Sequence, residues 1–207
     1  MAEFKTKDEQ GTSKDIYYFG YGPIVNDMVR QRREIETTEI QPAYVPDYRL
    51  TFAFGGNANI VKKVGFEVHG LLMKLKSHTD WEKIKKFEAG NEPQIRTVVP
   101  YCAMPQRQGK VEDNCSQVSD DDVSTDSHNA DEDFCAPQLK GTIQAYLIEM
   151  PGNVEDTLLD APIERLPQER YLKLIAQGMR QYGVEEEYVT DHIEACPFIP
   201  NRSPEEY

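Results

Sequence analysis

The segment from Val111 to Cys135 holds nine carboxylates and no Lys or Arg. It is rich in Ser, Asp and Asn and poor in aromatics. A stretch of this kind cannot bury enough apolar surface to offset the entropy of ordering. Residues 105–138 are therefore expected to form a disordered acidic insert, and any core must come from the chain on either side. Strands flanking the insert can still pair, because loop closure cost grows slowly with length.

The insert also accounts for most of the charge. Of the net −13, nine units lie in it, which leaves about four for the rest of the 207 residues, an ordinary value for a soluble domain. The overall sign argues against nucleic acid and acidic lipid as partners. No apolar run approaches the ~20 residues of a membrane span. Residues 1–15 are polar with no apolar h-region, so a flexible tail and a cytoplasmic location are expected. The four cysteines (Cys102, Cys115, Cys135, Cys196) form no CxxC pair and the histidines are scattered, so free thiols and no metal are expected. Residues 16–207 read as one domain.

Aromatic strand-like residues open the ordered chain at Tyr17 to Tyr21, and Gly22-Pro23 breaks the run. Asn26-Asp27 can cap a helix to about Arg33. Pro42 and Pro46-Asp47 read as an irregular connection. Strands are expected at Tyr48–Phe54, Asn57–Val61, Phe66–Leu75 with a bulge at Gly70, Arg96–Ala103 and Gly141–Ile148. Ser77-His78-Thr79-Asp80 is a capping box that opens a helix ending at Ala89-Gly90. A helix over Gln168–Tyr182 stops at Gly183, with Leu172, Ile175 and Met179 on one face. A last helix starts at Glu185-Glu186-Glu187 and stops before Pro197. Six short strands with flanking helices predict an α+β domain with a largely antiparallel curled sheet or barrel.

Two places can carry chemistry. On the helix after Ser77, Trp81, Ile84 and Phe87 form the apolar stripe, and Glu88 lies roughly 20° from Trp81 on the wheel. An acid on that stripe, at the negative end of the helix, has two reasons for a raised pKa and suits proton transfer near neutral pH. The alternative is a helix-end Glu that reaches water or pairs with Arg96. The second place is the strand–Gly22–Pro23–helix turn, where unpaired N–H groups can receive an anion. His69 reads as a structural histidine. No GxxxxGK[ST] or GxGxxG occurs, so no nucleotide or other cofactor is expected.

The order of the short motifs Tyr18-Phe19-Gly20-Tyr21-Gly22, Asp47-Tyr48-Arg49-Leu50, Gly55-Gly56-Asn57-Ala58-Asn59-Ile60, Glu67-Val68-His69-Gly70-Leu71-Leu72, Phe87-Glu88-Ala89-Gly90 and Pro167-Gln168-Glu169-Arg170-Tyr171 resembles the γ-glutamylcyclotransferase family. The resemblance runs from about 17 to 192, apart from the insert. It implies a mixed barrel and release of 5-oxoproline from γ-glutamyl amino acids or glutathione. It also implies Glu88 as acid/base, a substrate loop at Tyr18, Phe19, Gly20, Tyr21, Gly22 and Pro23, and a substrate contact from Tyr171. Glu92 is the next acid along. The family loop reads Tyr-Gly-Ser-Asn where this chain has Tyr21-Gly22-Pro23-Ile24, so a hydroxyl and an N–H are absent at Pro23. A non-catalytic binding protein of the same fold and a γ-glutamylamine cyclotransferase stand as alternatives, and a homodimer as an open assembly state.

Overall fold

The computed structural model describes residues 15–88, 91–101, 141–149 and 166–200. The expected tail, apart from Asp15, and the expected insert at 105–138 lie outside these residues. Asp15 is ion-paired to Lys74 at 3.0 Å.

Five strands close a barrel in the order β1-β3-β2-β4-β5. They are β1 (Tyr17–Gly20), β2 (Thr37–Phe54), β3 (Asn57–Leu75), β4 (Pro93–Pro100) and β5 (Ile143–Ile148). The neighbours are antiparallel except β1 and β5, which run parallel with Tyr18 beside Tyr146. The barrel is therefore mixed.

The described strands number five, not the expected six, because Asn57–Val61 and Phe66–Leu75 belong to one long β3. Lys62 and the residues that follow are exposed, which breaks the apolar alternation. The strand runs through them because β2 pairs at both ends of the stretch, Tyr48 opposite Lys62 and Pro46 opposite Glu67. Nor is 42–47 an irregular connection, since Pro42 and Pro46 both lie within β2. Pro42 lacks an N–H, but its carbonyl still accepts from Tyr101 at 3.1 Å. A bulge falls between Pro46 and Tyr48, where Asp47 takes φ 62° and accepts from the Gly65 N–H at 3.0 Å. Gly70 makes no bulge; it pairs in register with Ala43. Its bareness serves a close approach instead, because a Cβ there would lie 2.3 Å from the Gly20 carbonyl oxygen.

The local signals at helix starts hold. Asn26 caps α1 (Asp27–Arg32) by accepting from the Met28 N–H at 3.0 Å. Ser77 caps α2 (His78–Phe87) through the Asp80 N–H. α3 (Glu169–Gln181) buries Leu172, Ile175 and Met179. The expected last helix is only a short α4 (Glu186–Tyr188), which widens into a π-helical turn over Val189–Glu194, with Ala195 N–H bonded to the Thr190 carbonyl at 2.9 Å. The core fills the barrel with Phe19, Val45, Leu71, Met73, Val98 and Leu147, and α2 and α3 cover it with Ile84 and Ile175. Among the described residues no helix is long and apolar enough to cross a membrane.

Candidate active site

β1 ends at Gly20, and the chain turns through Tyr21-Gly22 into a single 3-10 turn, Pro23–Val25. Pro23 suits the first position of that turn, where its missing N–H would have no intrahelical partner and its φ is already set. The turn is anchored from three sides. The Tyr21 hydroxyl donates to the Ile148 carbonyl at the end of β5. The buried Arg30 of α1 donates to the Ile24 carbonyl at 2.8 Å. Gly178 of α3 packs so close that a Cβ would lie 2.6 Å from the Val25 carbonyl group. Among the described residues, the Gly22 and Ile24 N–H groups have no backbone acceptor.

This turn forms one wall of a cavity of about 370 Å³. Tyr18, Tyr21, Gly22, Pro23, Glu88 and Tyr171 all line it, so six of the eight residues expected at the site come together. Phe19 and Gly20 do not. Strand alternation turns Phe19 into the core, where it is 0% exposed, and Gly20 packs against Ile24 and Met73, whose side-chain atoms would lie 2.6 Å from a Cβ there.

Glu88 is not inside α2 but caps its C-terminus, with its N–H bonded to the Ile84 carbonyl at 3.1 Å. Its side chain is 29% exposed, and burial raises its pKa, with the nearby Arg33 charge pulling the other way. The pairing with Arg96 offered as an alternative does not form. Arg96 is held by the Tyr48 hydroxyl at 2.6 Å and by Glu149 at 2.8 Å. The cation beside Glu88 is Arg33, whose Nη1 lies 3.9 Å from Oε1. Phe87 leaves the buried stripe as well: it is 51% exposed and carries the Arg33 guanidinium 4.7 Å above its ring. Glu92 is exposed and does not line the cavity.

Tyr171, in the first turn of α3, accepts from the Ala58 N–H at 2.9 Å, and burial pushes its hydroxyl up to about 12. Burial also raises Tyr18 and Tyr21, helped in both by the Glu88 charge. All three hydroxyls stay protonated at neutral pH. Sequence reasoning missed Arg33, Asn57, Ala58, Asn91 and Ile148 among the lining residues. Arg33 gave no signal, because a basic residue at a helix end is common for electrostatic reasons alone. His69 sits away from this cavity, stacked on Tyr188 with centroids 4.4 Å apart and 3.0 Å from the Tyr101 hydroxyl.

Comparison with solved structures bears on the architecture. An uncharacterized Homo sapiens protein superposes with a TM-score of 0.58 at 17% identity, over 92% of this chain and 93% of its own. A gamma-glutamyl cyclotransferase does so with 0.57 at 18%, over 92% of each chain. This chain has the γ-glutamyl cyclotransferase-like fold. A yeast gamma-glutamyl cyclotransferase specific to glutathione aligns at 0.50 and 11% identity, over 88% of this chain and 95% of its own. No family model matches, and no curated protein sequence does. In this γ-glutamyl cyclotransferase-like barrel the cavity lies where β1, β3, β5 and three helices converge, and its ionisable lining includes one carboxyl group and one guanidinium.

Proposed function

We propose that the chain is a γ-glutamylcyclotransferase, converting a γ-glutamyl amino acid or a glutathione-type compound to 5-oxoproline with release of the amine. The observation that carries this reading is Glu88: a half-buried carboxyl group with a raised pKa, lining the same cavity as the Gly22–Pro23–Ile24 turn. Likeness of fold to proteins named as gamma-glutamyl cyclotransferases supports it.

The reaction needs what this cavity offers. The substrate's own α-nitrogen attacks its γ-carbonyl carbon, so the enzyme supplies no nucleophile. Holding the chain folded makes that attack intramolecular. Glu88 takes a proton from the α-ammonium, and the freed amine forms the new C–N bond as the carbonyl becomes an oxyanion. The Gly22 and Ile24 N–H groups are the donors available for the α-carboxylate and that oxyanion. Collapse breaks the original C–N bond. Both protons lost by the attacking nitrogen end on the leaving nitrogen, which departs as an ammonium, and Glu88 returns to its starting state.

Pro23 favours a second reading, a γ-glutamyl-binding protein without turnover, since it removes an N–H from the loop. Incubation with γ-glutamyl-alanine, glutathione and ε-linked γ-glutamyl-lysine, assayed for 5-oxoproline, separates the two. Product from at least one is expected. Absence of product from all three at high enzyme, with binding still measurable, would replace the first reading with the second.

A further inference from the structure

The cyclisation above uses Glu88 and the turn but leaves Arg33 without a task. Arg33 is the C-cap of α1, and its guanidinium stacks 4.7 Å over the Phe87 ring. Its 3.9 Å separation from Glu88 Oε1 is an ion pair too long for a hydrogen bond. Among the described residues the guanidinium makes no hydrogen bond, and its charged partner is Glu88. Arg33 is also the one Lys or Arg among the described residues that line the cavity. A guanidinium stacked on an aromatic ring at the cavity wall, with no hydrogen-bond acceptor among the described residues, suits a carboxylate.

A γ-glutamyl substrate carries one carboxylate on the glutamyl unit, for which the turn has donors. A second is present only when the leaving group is an amino acid or a peptide. In a γ-glutamyl α-amino acid that carboxylate carbon is two bonds from the leaving nitrogen, which must itself reach Glu88; in a peptide it lies further off. We propose that Arg33 binds the carboxylate of the leaving group and so selects γ-glutamyl α-amino acids over γ-glutamylamines. This rests on the cyclotransferase reading and names the substrate class within it. The size agrees: about 370 Å³ is near the small end of ligand sites, which run from about 300 to 1,000 Å³. Recognition and catalysis are then coupled. A carboxylate on Arg33 offsets the positive charge that holds the Glu88 pKa down, and so frees Glu88 to rise further.

The test compares γ-glutamyl-alanine with γ-glutamyl-ethylamide, which differ only by the carboxylate. The full chain should prefer the alanine compound in kcat/KM by about 10- to 100-fold, as suits a charge-assisted hydrogen bond. Arg33→Gln should bring the ratio to within about threefold, and Arg33→Lys, which keeps the charge, should retain part of it. Equal use of both compounds by the wild type overturns the proposal. So does a ratio that survives Arg33→Gln, which would move Arg33 to the glutamyl carboxylate common to both. If neither compound yields 5-oxoproline, glutathione and ε-linked γ-glutamyl-lysine decide on the cyclotransferase reading, and calorimetric binding of the alanine and ethylamide pair decides on Arg33. A preference for the alanine compound that is lost in Arg33→Gln keeps the assignment; equal or absent binding removes it.

Discussion

The Tyr171 hydroxyl accepts the Ala58 N–H at 2.9 Å, joining the first turn of α3 to the start of β3 across 113 residues of chain. Both residues line the cavity. Tyr171→Phe leaves a buried backbone N–H without its acceptor, which costs about 1–3 kcal/mol. The urea midpoint should fall accordingly, with the slope unchanged. A midpoint equal to wild type would mean that water or another group serves Ala58.

Glu88→Gln should lower 5-oxoproline formation by at least ~100-fold, the scale of a lost acid/base. In the wild type, activity should fall on acidification with a midpoint above the ordinary glutamate value, because burial raises Glu88 and the working base is the carboxylate.

Stability should move the other way. A raised folded-state pKa means that the contribution of Glu88 is complete below the unfolded value and is lost as pH rises through the folded value. Glu88→Gln should therefore melt no lower than wild type at pH 7, and any gain should shrink toward pH 4. A lower Tm at pH 7 would show that the Arg33 pair outweighs burial.

Gly178 decides how α3 sits on the 3-10 turn. Helix propensity alone favours Ala there by about 1 kcal/mol. A Cβ would nonetheless lie 2.6 Å from the Val25 carbonyl, and backbone cannot swing aside as a side chain can. Gly178→Ala should destabilise by about 1–3 kcal/mol and raise KM by displacing the turn. A stabilised variant with wild-type KM would refute this packing.

Composition carries a prediction for the acidic segment. Deleting 108–136 should leave a domain that melts cooperatively, because that stretch has little apolar surface to contribute. Loss of the cooperative transition would show that it packs.

The readable parts of this chain were the local ones. Asn26 and Ser77 as caps, the apolar face of α3 and the placing of Glu88 at a helix end follow from contacts within one turn of helix, which spacing and residue type specify. The same reasoning failed at 42–47 and 62–65, where prolines and lysines look like breaks. There the pairing of β2 with β3 on both sides of the bulge at Asp47 carries each strand through.

By itself, then, the sequence determined where α1, α2 and α3 begin and that an acid stands at the end of α2. Tertiary structure alone decided that β3 is one strand, that Phe19 and Gly20 turn away from the cavity, and that Arg33, not Arg96, stands beside Glu88. The physical reason is separation along the chain. Arg33 and Glu88 lie on different helices, and barrel closure, which no local pattern encodes, brings the ends of α1 and α2 to the same cavity.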